Sequence, residues 1–270
     1  MSRLFGSDYH SAFNASTYLS SYYGSYDGNE AEGDFLPWMI RSYHKLASHL
    51  SPASIDGSSL LDFGCGPNLL PTMSLSAKFD QIYLADYATS SLAEMEKWIR
   101  KDPTAHNWTP ILAGVGAIEG CTAAAIEERM RAKVKGVLFC DIQANPILTQ
   151  STTACSTPAQ FDGIVTSLCL EAAVKSVEEY EAAVGKLGAL LKQGGYVIQL
   201  VVLEETFYAV GQEKFFVTPL SEAHVKNAWN QAGVEVIESM RQERRVQKEQ
   251  EMLDISDFTA ALALLGKKKS

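Results

Sequence analysis

No CxxC pair occurs in this chain, and its five cysteines are scattered at Cys65, Cys121, Cys140, Cys155 and Cys169. An odd, dispersed set argues against a disulfide framework and against a structural zinc site. The histidines (His10, His44, His49, His106 and His224) lack ligand spacing, so no metal is expected. Positive charge is in deficit: 23 Lys and Arg stand against 32 Asp and Glu, a net charge of −9. A nucleic-acid binder would need a basic face, so that partner class is not expected, whereas cationic ligands are favoured by steering. No uninterrupted apolar run approaches a bilayer span, and the first ten residues hold no apolar signal core. A cytoplasmic protein without membrane partners is expected.

What is present suits a large single domain. The chain has 270 residues, of which 46% are hydrophobic and 10% aromatic, enough to bury a sizeable core. Residues 1–17 read as irregular. Four tyrosines then fall within nine positions, Tyr18, Tyr22, Tyr23 and Tyr26. On a helix, Tyr18 and Tyr22 share a face. Two readings stand: a surface helix held down by its rings, or a lid closing over a cationic ligand. Residues 29–50 carry apolar residues at helical spacing, including Phe35, Met39, Tyr43 and Leu46. Residues 1–57 together read as a lid segment in front of a core at 58–270.

From Ser59 the pattern alternates short apolar runs with helical segments. Strands are expected at 59–63, 81–85, 136–140, 161–166, 196–202, 234–240 and 257–265. Helices are expected at 68–78, 89–101, 119–134, 176–192 and 221–232. Thr89 or Ser90 is a candidate cap for the second of these, and Gly194-Gly195 for the end of the fourth. The charged stretch 241–252 reads as a solvated loop or hairpin, and Lys267 to Lys269 as a tail. The alternation implies an α/β fold: a Rossmann-like, doubly wound, mostly parallel sheet of seven strands with helices on both faces.

Ligands of such sheets bind beyond the carboxyl ends of the strands. There the run Leu60-Leu61-Asp62-Phe63-Gly64-Cys65-Gly66-Pro67 ends a strand in a glycine turn. Asp86 ends the second strand about twenty positions later, the place of a ribose-binding acid. Asp141 ends the third. Leu69 stands where a dinucleotide fingerprint needs its third glycine, and Pro67 removes one N–H from the turn. A phosphate-free nucleoside therefore fits better than a pyrophosphate. Asp62 either orients an ammonium group or stiffens the turn.

With these motifs assembled, the chain resembles the class I S-adenosylmethionine-dependent methyltransferases. It is more narrowly similar to the nicotinamide, phenylethanolamine and indolethylamine N-methyltransferase family. The resemblance spans about Tyr18 to Leu265 and is carried by residues 18–23, 63–67, 86–87, 92–98, 167–172, 190–195 and 203–211. It implies that Tyr18, Tyr22 and Tyr23 close over the cofactor and that Gly64, Cys65 and Gly66 flank its methionine part. It further implies ribose contacts at Asp86 and Tyr87 with Ser91 nearby, adenine contacts at Asp141 and Ile142, and Ser167 near the methionine end. Leu70 and Ser91 depart from the pattern, standing where nicotinamide-type members carry tyrosine and asparagine.

The resemblance also makes Glu171 and Glu205 the acidic, catalytic amine-binding positions, with Tyr18 and Tyr208 lining the same substrate pocket. Tyr208, three residues after Glu205, is expected on a shared helical face. Either glutamate alone is also readable as a solvated helix start. Phe35, Phe207 and Phe216 are candidate walls, and Asp254 or Asp257 a candidate third acid. Val201 and Val217 replace an aspartate and a serine of nicotinamide-type members, which speaks against nicotinamide. The expectation is an S-adenosylmethionine-dependent N-methyltransferase, a monomer, acting on a phenylethylamine- or indolethylamine-like amine and releasing S-adenosylhomocysteine. The alternatives are a nicotinamide or pyridine N-methyltransferase and an inactive cofactor-binding homologue.

Overall fold

The short apolar runs read from the sequence become the strands of one sheet in the computed structural model, which describes residues 4–27, 34–50, 57–149, 156–244 and 255–269. A 3-10 turn at Gly6–Asp8 leads into α1 (Tyr9–Ala12), α2 (Ala15–Tyr22) and α3 (Phe35–Ser48). The core follows as β1 (Ser59–Phe63), α4 (Leu70–Leu75), β2 (Gln81–Asp86), α5 (Thr89–Ile99), α6 (Thr109–Glu119), α7 (Ala123–Lys133), β3 (Val134–Cys140) and β4 (Leu148–Thr149). The second half comprises β5 (Phe161–Ser167), α8 (Leu170–Ala173), α9 (Val177–Leu190), β6 (Leu191–Leu203), β7 (Phe207–Val210), β8 (Glu213–Phe216), α10 (Glu222–Gln231), β9 (Val234–Glu243) and β10 (Ala260–Lys268).

The sheet runs β4-β3-β2-β1-β5-β6-β10-β9. The five central strands from β3 to β6 are parallel, and β4, β10 and β9 pair antiparallel at the edges. Strand order reverses between β1 and β5, so the crevice for a ligand opens at their carboxyl ends, at Phe63 and Ser167. The sheet has eight strands, not seven. The eighth is β4, two residues against the end of β3, too short for any periodicity to announce.

Helices cover both faces. Leu60, Ile82, Leu84, Ile198 and Leu200 pack in one layer with α3 to α7. Leu61, Phe63, Ile164, Val197 and Val201 pack in the other with α9 and α10. The alternation along β6 explains its continuous apolar run, since a central parallel strand is buried on both faces.

Several expectations are corrected. Residues 4–13 are structured: Leu4 bridges to Phe215, and Phe13 packs with Val210 and Phe215. The helix expected at 119–134 begins at Ala123, capped by Thr122 accepting from the Ala125 N–H, and α6 precedes it unforeseen. Neither Thr89 nor Ser90 caps α5; Ala88 occupies that position, and the Ser90 hydroxyl donates to the Phe13 carbonyl at 2.9 Å. Gly194-Gly195 lie inside β6 and do not end α9. Arg241, Gln242 and Glu243 belong to β9, whereas residues 245–252 lie outside the described residues. Lys267 and Lys268 are paired in β10. Tyr208 sits on a β-hairpin strand, not a helix, because residues 207–216 reverse at Gly211-Gln212.

Candidate active site

The turn after β1 is built by backbone geometry. Gly64 and Gly66 take left-handed φ values of +69° and +58°, which L side chains adopt rarely. A Cβ at Gly64 would fall 1.9 Å from the Cys169 sulfur. The Gly64 and Cys65 N–H groups donate to the Ala85 carbonyl at 2.8 and 2.9 Å, tying the turn to β2. The Gly66 N–H donates to Asp86 Oδ2 at 2.7 Å, and the Ala88 N–H to Oδ1 at 2.8 Å. Burial pushes the Asp86 carboxyl up to about 6, although these N–H groups pull it down.

A cavity of about 400 Å³ opens at this turn, within the range of small-molecule sites. Its walls include Gly64, Cys65, Gly66, Asp86, Tyr87 and Ser91 on one side. Asp141, Ile142, Ser167 and Tyr18 line it as well. The 141–144 loop is held from behind by Lys186, whose ammonium donates to the Ile142 carbonyl at 2.6 Å. The charged groups in the wall are Lys175 against Asp86, Asp141 and Glu179. One cation among acids does not suit a pyrophosphate and does suit a cationic nucleoside. Asp62 lines neither cavity described here; it is buried beneath the turn, accepts from the Thr72 hydroxyl at 3.3 Å, and has its carboxyl pushed up to about 8 by burial.

A second cavity, about 70 Å³, adjoins the first. Tyr18, Leu168, Ala172 and Tyr208 line both. Tyr22 and Tyr23 line only the smaller one, together with Phe35, Met39, Val202, Val217 and Phe258. Glu171 and Glu205 are both buried in its wall. Neither is a solvated helix start. Two non-glycine residues with positive φ, Leu168 (50°) and Glu204 (55°), turn the chain after β5 and β6 just before these acids. Glu171 is 2% exposed, and among the described residues neither of its carboxylate oxygens has a partner in hydrogen-bond geometry, although the backbone N–H groups of Glu171, Val202 and Cys169 lie near enough to pull its carboxyl down. Burial pushes its carboxyl up to about 7. Among the described residues no lysine or arginine lines this cavity.

Some expected residues lie elsewhere. Phe207 and Phe216 pack on each other outside the cavity. Asp257 accepts from the Thr206 N–H and hydroxyl at 2.7 and 2.5 Å and braces the hairpin. Asp254 lies outside the described residues. Val217 lines the cavity, but Val201 packs in the opposite core layer. The sequence reading missed Tyr9 and Phe13, which line the large cavity, and Ser256 and Phe258, which line the small one. The four-residue spacing of Tyr9 and Phe13 was the available signal. Among the described residues no group of His, Cys, Asp or Glu is arranged to hold a metal ion, and no single helix is long and apolar enough to cross a membrane.

A mostly parallel sheet with helices on both faces and a crevice at its switch point is the Rossmann-like fold of S-adenosylmethionine-dependent methyltransferases. Solved structures agree. Magnesium protoporphyrin IX methyltransferase from Synechocystis PCC 6803 with bound S-adenosylmethionine superposes with a TM-score of 0.57 at 12% identity, covering 98% of this chain and 95% of that one. A methyltransferase from Methanosarcina mazei superposes at 0.54 and 12%, covering 83% and 97%. The family profile described as NNMT/PNMT/TEMT matches residues 2–263, and the chain belongs to that family. Similar relatives are nicotinamide N-methyltransferase of Homo sapiens, 33% identical over 83% of each chain, and indolethylamine N-methyltransferase of Oryctolagus cuniculus, 32% over 86% of each. Phenylethanolamine N-methyltransferase of Sus scrofa is 30% identical over 83% of this chain and 78% of its own. The protein is a small-molecule N-methyltransferase, and its cofactor is S-adenosylmethionine.

Proposed function

We propose that the methyl acceptor is an amine with an apolar body, bound as its ammonium between Glu171 and Glu205. The observation that carries this is Glu171, a buried carboxylate whose oxygens meet no side-chain donor among the described residues, in a cavity walled by Phe35, Tyr22, Tyr23 and Phe258. An unpaired buried charge is costly. An ammonium supplies the missing donors, and the rings surround its apolar part and favour the cation.

When bound, S-adenosylmethionine supplies an electrophilic methyl group on its sulfonium. The chain supplies alignment and exclusion of water. The turn at Gly64 to Gly66 and the walls at Asp86, Tyr87, Ser91, Asp141, Ile142 and Ser167 would hold the nucleoside and its tail. Tyr18 and Tyr208, common to both cavities, frame the passage between donor and acceptor. Attack needs a neutral nitrogen, so a carboxylate must take the ammonium proton directly or through one water. Glu171 suits that task, because burial has brought its carboxyl to about 7. The Tyr208 phenol is held neutral by burial and shares a hydrogen bond with the Tyr9 hydroxyl. At about 70 Å³ the small cavity holds only a few waters. An aryl amine therefore requires outward movement of the α2 tyrosines.

The test is mass spectrometry after incubation with labelled S-adenosylmethionine and a panel of phenylethylamines, indolethylamines, nicotinamide and pyridines. Methylated amines, with turnover lost in Glu171→Gln or Glu205→Gln while cofactor binding persists, are expected. Labelled pyridines with inert amines would replace the reading. Cofactor binding with no labelled product from any small molecule would favour the inactive homologue.

A further inference from the structure

Tyr43, on α3, belongs to neither cavity wall, yet its hydroxyl reaches one. It is 1% exposed and donates to Ser167 Oγ at 2.6 Å. Ser167 ends β5 and lines the cofactor cavity at the switch point. A serine hydroxyl has one hydrogen to give and two lone pairs to receive with. With one lone pair occupied by Tyr43, its hydrogen turns away from Tyr43. Among the described residues no protein group accepts that hydrogen, and the side of Ser167 not covered by Tyr43 is the cavity. The chain also has leucine at 70, on the α4 start against which α3 packs, so no hydroxyl comes from that position.

We infer that Tyr43 is a positioning residue for cofactor binding: it fixes the Ser167 hydroxyl so that this group hydrogen-bonds the amino-acid tail of the cofactor. The free hydrogen can be given to the carboxylate of that tail and the remaining lone pair can receive from its ammonium, and successive hydrogen bonds polarise one another. Burial pushes the Tyr43 phenol well above its ordinary range, so it remains a donor at every physiological pH. The inference rests on S-adenosylmethionine as cofactor and is independent of the amine assignment.

The test compares two ligands by calorimetry on the full chain. S-adenosylhomocysteine carries the amino-acid tail, and 5′-deoxy-5′-methylthioadenosine lacks it. Tyr43→Phe keeps the ring and removes one hydroxyl. It is expected to weaken S-adenosylhomocysteine about 5- to 10-fold and to leave methylthioadenosine within about 2-fold. Ser167→Ala is expected to give the same selective loss, and the double variant to lose little more than either single one. Equal weakening of both ligands would make Tyr43 merely structural and overturn the inference, as would unchanged binding of both. If Tyr43→Phe does not fold, Ser167→Ala decides by the same contrast: equal effects on the two ligands overturn the inference. Failure of the unsubstituted chain to bind S-adenosylhomocysteine at all would instead overturn the cofactor.

Discussion

The Gly66 N–H donates to the Asp86 carboxylate at 2.7 Å, so the acid that ends β2 also braces the glycine turn after β1. The acid proposed to hold the ribose is therefore also the brace of the turn. Asp86→Ala leaves the Gly66 and Ala88 N–H groups without their acceptor, costing about 2–3 kcal/mol of stability. It should also abolish cofactor binding. Asp86→Asn retains one acceptor oxygen and is expected to fall between. Thermal unfolding and calorimetry check both; normal stability with normal cofactor affinity in the alanine variant would refute the shared role.

Gly64 tolerates no side chain. Its φ of +69° costs an L residue about 1–2 kcal/mol. The overlap of a new Cβ with the Cys169 side chain adds about 1–3 kcal/mol. Gly64→Ala is expected to unfold at markedly lower denaturant concentration. Combining it with Cys169→Gly should recover only the overlap, because the backbone cost remains. Full recovery in the double variant would show that the left-handed backbone carries no cost.

Glu171 sets a pH dependence whose sign follows from burial. Its carboxyl is pushed up from 4.5 to about 7 in the folded chain. The folded state thus holds a proton that the unfolded state releases. The resulting stability is fully present below pH about 4.5 and is lost as pH rises through about 7. A shift of this size corresponds to about 3 kcal/mol at most. Asp62 and Asp86, raised to about 8 and about 6, act in the same direction. The cofactor-free protein should therefore melt lower at pH 8 than at pH 5.5, and Glu171→Gln should flatten that slope. An amine ligand should remove the Glu171 share of it, since the ammonium stabilises the ionised carboxylate.

The N-terminal segment is held by the β7–β8 hairpin. The Tyr9 hydroxyl bonds the Tyr208 hydroxyl, the Tyr22 hydroxyl donates to the Ala209 carbonyl at 2.6 Å, and the Phe13 ring meets Phe215 edge-on. Phe13→Ala removes the apolar anchor of this contact and is expected to speed proteolysis within residues 4–27. Because Tyr9, Phe13 and Tyr18 line the cofactor cavity, S-adenosylhomocysteine should slow that cleavage. Cleavage unaffected by the ligand would separate the segment from cofactor binding.

Much was legible beforehand because it is local. The strand ending in Gly64-Cys65-Gly66, the acids after β2 and β3, and the buried run of β6 each follow from a few adjacent residues. Leu69 and Pro67 were enough to move the site from a pyrophosphate to a nucleoside. Residues whose role depends on a partner far along the chain were not legible. Tyr43 looked like one more apolar position of a helix; its hydroxyl matters because Ser167 lies against it. Tyr208 looked helical because its partner strand, Glu213–Phe216, comes after a turn with weak signals.

The sequence by itself determined the alternation of strands and helices, and with it a parallel sheet whose crevice opens beside Gly64. Side-chain periodicity and turn chemistry act over a few residues and can be read in order. Only the tertiary structure decided that Glu171 and Glu205 are buried, that Glu171 meets no side-chain donor among the described residues, and that Tyr9 lines the neighbouring cavity. Burial and electrostatic environment belong to the packed chain, because they depend on which distant surfaces exclude water from the same small volume.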